Sequence, residues 1–391
     1  MSKKDQVDLS RRRTIQAIGA SAVSVPALGI TATQAQAEAS KPGTAEDSAS
    51  VAEVVVEPGT LNQQNDPEIK PDFVAIHSLA DHVEPTLRLG SADPNGQPKT
   101  VSLPLDCSAK QASDSPASVV YSVDEQRYTI NAESGQPVAL NTTDGPREKR
   151  TERSGAFPAI SHDARRRHRI PRYFSRAAWG GDNVEDLRFD DDGNDRWGSP
   201  PSFHDLQKIT IHHSATENND PDPAARVRAI YQFQTIERNF GDIGYNLLVD
   251  ERGNIYEGRY SGSGFLPGTI VEFSDGKLRF KAVQGAHVGG FNSGNFGIAL
   301  LGNFVDQEPT TEAIQSLTTI LILMSTIYNL DPLGDGTYIN PVNQAERDVA
   351  NIVAHLDWAA TECPGVLRDM LPEIRETVGS IRTRPVKALE K

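Results

Sequence analysis

The stretch Asn351–Gly365, NIVAHLDWAATECPG, decides how this chain is read. Ile352 and Val353 open it as a short β-branched run, the composition of a buried strand. His355 stands where that strand should end. Cys363 and Pro364 follow in a short loop, and an amphipathic helix begins at Val366. A His and a Cys on the lip of one strand-to-helix connection can converge on one metal ion. They supply only two ligands, whereas a zinc that does chemistry takes about three from the protein and keeps a further position open. The best source of the third is His212, in KITIHHSATE (Lys208–Glu217), at the end of another strand-like run. Neighbouring side chains on a strand point to opposite faces, so His212 and His213 cannot both face one ion.

Outward from these two stretches, strands alternate with helices. Ile209–His213 alternates as a strand should, and Asp222-Pro223 starts a helix with Asp as N-cap and Pro at the first helical position. Val227, Ile230, Tyr231 and Gln234 keep its period to about Asn239. Tyr245–Val249 and Ile255–Glu257 read as strands joined by a turn over Asp250–Asn254, and Phe296–Leu301 as a further apolar strand. Residues 262–281 are polar and Gly-rich and read as an inserted loop. Thr310 or Thr311 caps a long helix with the stripe Ile314, Leu317, Leu321, Met324 and Tyr328, and Leu367, Met370, Leu371, Ile374 and Val378 give the last helix its face. The pattern predicts an α/β domain, a central mixed β-sheet flanked by helices, over 173–381.

The chain has 391 residues, 37% of them hydrophobic, and a net charge of −14, so no global positive field would attract nucleic acid. It carries two cysteines, Cys107 and Cys363, too few for a disulfide scaffold. If Cys363 binds metal, Cys107 has no partner; if the two pair, the metal reading fails. Residues 1–37 read as a signal peptide: Arg11-Arg12, a mild apolar run from Ala17 to Ile30, and the small-residue cleavage site Ala35-Gln36-Ala37. The arginine pair resembles a twin-arginine signal, which implies export to the cell wall or medium. The run holds Pro26 and is shorter than the ~20 apolar residues of a membrane span, so no transmembrane span is expected in the mature form. Residues 38–72 read as a disordered leader. Residues 73–145 read as a small β-rich module without a chemical motif. Residues 146–172 form a basic linker, densest at Arg165–Arg169, suited either to a solvated spacer or to attraction by anionic wall polymers.

A zinc ion (Zn2+) held by His212, His355 and the Cys363 thiolate keeps a position for water and can lower that water's pKa to roughly 7. Tyr245, in Gly244-Tyr245-Asn246, can hydrogen-bond a developing oxyanion. His213, Asn246 and His287 are candidates to line a substrate groove. Each residue also has a plainer reading: Cys363 as a structural zinc ligand or buried thiol, His212 as a satisfied core histidine, Tyr245 as a strand aromatic. The combination is far more specific than any member.

Four segments in order, ITIHHSATE (209–217), GDIGYNLLVDERGNIYEGR (241–259), VQGAHVGGFNSGNFGIALLGNF (283–304) and AHLDWAATECPG (354–365), closely resemble the peptidoglycan recognition protein and type-2 N-acetylmuramoyl-L-alanine amidase family. RAAWGGD (176–182) looks like its entry motif. The resemblance covers 173–381. It implies a mixed sheet flanked by helices, zinc ligands at His212, His355 and Cys363, and a catalytic tyrosine at Tyr245. Thr361, two positions before the ligand cysteine, matches amidase-active members and joins the substrate-binding candidates. Members that only bind lack the cysteine, so the resemblance implies a zinc amidase that cuts between N-acetylmuramic acid and L-alanine of peptidoglycan. A non-catalytic peptidoglycan-binding module or a wall-associated structural protein is the alternative. The 262–281 insertion and the first 172 residues depart from the shared domain.

Overall fold

Seven strands run side by side in the order Ile352–Ala354, Lys208–His213, Asn295–Leu300, Leu247–Val249, Ile255–Glu257, Arg172–Phe174 and Gly155–Ala156. The first four pair in parallel, Ile255–Glu257 runs antiparallel to Leu247–Val249, and the sheet is mixed. This computed structural model describes residues 53–56, 71–79, 84–92, 98–108, 114–123, 128–132, 135–140, 142, 155–157, 171–180, 192, 201–262, 266–274 and 276–382. The signal-peptide reading of 1–37 and most of the basic linker lie outside them.

Lys208–His213 and Asn295–Leu300 are buried at every position, as central parallel strands covered on both faces are. On one face, Ile209, Ile211, Phe296 and Ile298 meet the helices Thr311–Ile327 and Leu367–Arg382 through Leu317, Leu321, Met324, Leu371 and Val378. On the other, Leu248, Tyr256 and Ala299 meet Val227, Ile230 and Tyr231 of the helix Pro223–Gln232. The caps are those the sequence indicates: Asp222 accepts from the Ala225 N–H at 3.0 Å and Thr310 from the Ala313 N–H at 3.2 Å. The first helix does not run on regularly to Asn239. It passes at Phe233 into a π-turn, Phe233–Glu237, where the buried Gln234 accepts the Gly244 N–H at 2.8 Å.

Two hairpins add to the sequence reading, the first by correcting it. Residues 262–281 were expected to be loop, but Thr269–Ser274 and Lys277–Val283 pair antiparallel and join the short strand Phe203–His204. TIVEFS and KLRFKAV alternate around the Asp275-Gly276 dipeptide, a hairpin signal that the Gly-rich flanks obscured. Asp335–Ile339 and Glu346–Ala350 form the second, and it is held from beneath by Lys208. The Lys208 ammonium donates to the carbonyls of Gly336 and Val349, both at 2.8 Å, and to Asn351 Oδ1 at 2.9 Å.

The N-terminal part is β-rich. One sheet orders Glu53–Val56, Tyr128–Asn131, Thr86–Ala92 and Pro98–Ser102; a second orders Tyr121–Ser122, Phe73–His77 and Gln136–Leu140. Glu53–Val56 falls inside the stretch read as a disordered leader; its valine run pairs with Tyr128–Asn131 instead. Phe73–His77 shows how this part joins the rest. Val74 and Ile76 enter a core of their own with Leu87, Leu103 and Ile130. Phe73 and Ala75, on the opposite face, enter the core shared with Trp179, Tyr231 and Tyr245. A period of two thus distributes one strand between two cores. Among the described residues, no helix is long and apolar enough to cross a membrane.

The substitution Lys208→Ala removes the donor from three acceptors and is expected to cost about 2–3 kcal/mol, the scale of hydrogen bonds to a charged group. The measurement is a urea titration, in which the midpoint falls and the slope is retained. An unchanged midpoint would show that the hairpin is held without this side chain.

Candidate metal centre

Pairing register builds the site. Ile209 lies opposite Ile352 and Ile211 opposite Ala354, so the next residue on each chain, His212 and His355, emerges side by side at the carboxyl edge of the sheet. Their ring centroids are 4.5 Å apart. The chain then makes a 3-10 turn, His355–Asp357, and returns Cys363 to the same edge, where its carbonyl accepts the Leu356 N–H at 2.9 Å. Gly365 makes the return possible. A Cβ there would lie 2.0 Å from the Phe304 carbonyl oxygen, which accepts the Val366 N–H at 2.8 Å, and its φ of +66° suits glycine. Cys363 Sγ ends 3.7 Å from His212 Nδ1 and accepts the His213 N–H at 3.3 Å.

Hydrogen bonding fixes which nitrogen of His212 faces the cluster. The Asn295 carbonyl can only accept, so His287 Nε2, 3.2 Å away, carries a proton. His287 Nδ1 is then the acceptor for His212 Nε2–H at 3.0 Å. This leaves the lone pair of His212 on Nδ1, turned towards Cys363. Burial, reinforced by the neighbouring His355, lowers the pKa of His212 to about 4, so the imidazole is neutral at neutral pH, the form that ligates metal. Burial also holds His287 well below its ordinary value. Gly297 makes room for the His287 ring: a Cβ there would lie 2.5 Å from it.

Cys107 is the residue that sequence reasoning missed. It lies in the N-terminal part, yet its Sγ joins a ring nitrogen each of His212 and His355 and the Sγ of Cys363, the four ligand atoms lying within 4.8 Å of one another. The alternatives of metal at Cys363 or pairing with Cys107 therefore do not exhaust the chemistry. The only sequence signal was that the chain has two cysteines, since no local motif surrounds Cys107. The donor set, two imidazoles and two thiols, matches zinc. Tetrahedral zinc bonds of ordinary length separate ligand atoms by about 3.3–3.8 Å, and the Cys363–His212 distance falls in that range. His355 Nδ1 is buried without a hydrogen-bond partner, an unsatisfied lone pair or proton at the cluster's edge.

The other expected residues take different places. His213 faces away, its Nδ1 accepting the Phe304 N–H at 3.1 Å. Asn246 donates to the Val283 carbonyl at 2.8 Å and accepts the Gly297 N–H at 2.7 Å. With His287 they were expected to line a groove, but all three are buried: His213 ends a central strand covered on both faces, Asn246 stands just before the strand Leu247–Val249, and His287 lies in the loop after Lys277–Val283. Tyr245 is at the cluster: its ring centroid is 5.3 Å from that of His212 and its hydroxyl 3.8 Å from Cys107 Sγ. Burial first, and then the charge at Cys107, push its phenol well above the ordinary range, so it is a proton donor at neutral pH. Thr361 stands half-buried at the rim, its hydroxyl accepting the Cys363 N–H at 3.2 Å.

Residues 202–366 match the family described as N-acetylmuramoyl-L-alanine amidase (Amidase_2). A peptidoglycan-recognition protein of Drosophila simulans is 27% identical over 172 residues, which are 44% of this chain and 74% of that protein. The human N-acetylmuramoyl-L-alanine amidase is 27% identical over 213 residues, 50% of this chain and 30% of that protein. The solved structure of wild-type Drosophila PGRP-LB is 24% identical, with a TM-score of 0.34, over 52% of this chain and 92% of that one. The family match begins at residue 202, and Cys107 lies outside it.

His287 orients His212 without being among the four clustered residues. Replacing such a partner typically weakens a metal site about 10–100-fold, and His287→Ala is expected to do so here. Competition with a zinc chelator measures it. Unaltered affinity would assign His287 to packing alone.

Proposed function

Residues 202–366 belong to the N-acetylmuramoyl-L-alanine amidase family, and from that premise we propose that this chain is an exported, zinc-dependent amidase. It hydrolyses the amide between N-acetylmuramic acid and the L-alanine of the peptidoglycan stem peptide. The observation that carries the reading is the convergence of His212, His355 and Cys363 with the Tyr245 phenol beside them. A protein that only binds peptidoglycan has no use for a thiolate in that position.

Bound zinc supplies a Lewis acid for the scissile carbonyl and activates water for attack. The chain does the rest. The pair His287 and Asn295 keeps the lone pair of His212 on Nδ1, turned towards Cys363, where it would hold the ion. Tyr245, protonated at neutral pH, donates to the oxyanion as it forms. Asn246 ties the segment before the strand Leu247–Val249 to its neighbours, which fixes the position of the adjoining Tyr245 phenol. Thr361 at the rim is suited to contact the stem peptide. Export rests on the arginine-pair signal in 1–37, and retention at anionic wall polymers on the basic stretch 146–172.

Two substitutions test the roles separately, with release of stem peptides from purified peptidoglycan followed by mass spectrometry. Cys363→Ser removes a ligand and is expected to lose both zinc and hydrolysis. Retained turnover in a zinc-free Cys363→Ser preparation would sink the mechanism. Tyr245→Phe keeps the ring and is expected to retain zinc while turnover falls by about 10²–10³-fold. An undiminished rate would return Tyr245 to strand packing.

A further inference from the structure

The residues 105–108 form a bracket that presents one side chain to the cluster. Asp106 is paired with Arg238 at 3.1 Å, both almost completely buried. Ser108 Oγ accepts from Gln234 Nε2 at 2.7 Å and itself donates to Asp106 Oδ2 at 2.6 Å. The Ser108 carbonyl accepts from Arg238 Nη2 at 3.4 Å. Cys107, between these two anchored residues, has its Sγ 3.7 Å from the His213 carbonyl and 3.8 Å from the Tyr245 hydroxyl. Around the bracket, the N-terminal part covers the same face of the sheet. Phe73, Ala117, Val120 and Leu140 pack with Tyr231, Phe233 and Tyr245, Arg228 Nε donates to the Thr142 carbonyl at 3.2 Å, and Glu217 accepts the Ser122 N–H at 3.1 Å. The site beneath is enclosed: His212, Tyr245, His355 and Cys363 are each at most 3% exposed.

A zinc with three protein ligands and an open position can act on a substrate, whereas a zinc with four tetrahedral protein ligands is coordinatively closed. Building on the amidase reading above, we propose that Cys107 is a fourth zinc ligand and that the N-terminal module holds the centre closed until this thiolate leaves. Cys107 occupies the place at the cluster that water and the scissile carbonyl need, and it stands against the hydroxyl through which Tyr245 would meet an oxyanion. Opening breaks the Sγ–zinc bond. The thiolate leaves with the electron pair and takes up a proton from solvent, and the vacated position becomes available to water. No oxidation or reduction is involved. The chain as described is therefore the latent form, and Cys107 sets its activity without taking part in catalysis.

The test counts sulfur atoms around the metal. The reduced, zinc-loaded, full-length protein is examined by X-ray absorption at the zinc edge, alongside Cys107→Ser. The unaltered chain is expected to show two sulfurs at ~2.3 Å and two nitrogens at ~2.0–2.1 Å. Cys107→Ser is expected to show one sulfur and to hydrolyse a soluble muropeptide about tenfold faster or more. The sulfur count of the unaltered chain needs no variant to fold. One sulfur in the unaltered chain would overturn the proposal, as would a zinc-free protein with Cys107 and Cys363 joined in a disulfide. Equal, non-zero turnover by the two proteins would also overturn it. A fall from two sulfurs to one with no hydrolysis by either protein would uphold the ligand and overturn the amidase reading instead. The Tyr245→Phe comparison is sharpest with Cys107→Ser as the parent.

Discussion

The parallel pairing of Lys208–His213 with Ile352–Ala354 is the constraint on which the candidate site depends. It sets two residues distant in sequence, His212 and His355, level with one another, and it does so through backbone hydrogen bonds that take no account of either imidazole. The register is fixed by what lies on the two faces. Ile209 and Ile211 go to the core with the two C-terminal helices, while Thr210 and His212 go to the other side. A slip of one residue would exchange those sets, burying Thr210 and His212 among leucines and removing His212 from the cluster. Thr210 adds a polar lock: its hydroxyl donates to Asn295 Oδ1 and accepts from the Trp358 indole, both at 2.8 Å.

Such a site is costly to bury, and the chain meets the cost by arranging polar groups in series. An unsatisfied buried polar group loses about 1–3 kcal/mol, and several meet within a few ångströms here. The series from the Asn295 carbonyl through His287 to His212 satisfies three ring nitrogens and leaves the fourth, His212 Nδ1, facing Cys363. Burial keeps both rings neutral, which removes the larger cost of burying their charge. Within the cluster, His355 Nδ1 is buried without a hydrogen-bond partner. A cation at the cluster would offset part of that cost.

The sheet, the flanking helices and the segments bearing His212, His355 and Cys363 were legible because each rests on local patterns. These are a β-branched run that ends in a histidine, an Asp-Pro helix start, and an apolar stripe at helical spacing. The same local reading failed where the answer depends on what covers a residue. His213, Asn246 and His287 carry the polarity of groove residues, and they turn inward: His213 sits on a strand covered on both faces, while Asn246 and His287, in the segments beside strands, hydrogen-bond into the interior. The hairpin in 262–281 was obscured by its glycines. Cys107 was illegible for a stronger reason. Its neighbours at the cluster lie more than a hundred positions away, and its place follows from the packing of Phe73, Val120 and Leu140 on a different part of the chain.

That packing separates two functions of the N-terminal part. Adhesion comes from apolar burial, spread over several side chains on the inner face of its smaller sheet, and from buried pairs such as Arg238 with Asp106. An interface of that kind is not switched by any single group, since each residue contributes a fraction. The position of Cys107 is different in kind. It depends on a short segment between Leu105 and Ser108, held at Asp106 and Ser108 by the side chains of Arg238 and Gln234. Arg238 and Gln234 belong to the π-turn and its immediate end, the place where the first helix departs from regular geometry. The irregularity thus turns Gln234 inward to meet both the Gly244 N–H, next to Tyr245, and Ser108, next to Cys107. One amide side chain therefore links the segment that carries the phenol to the segment that carries the thiol, and so brings the two atoms together at the cluster, while the rest of the module is held by apolar packing.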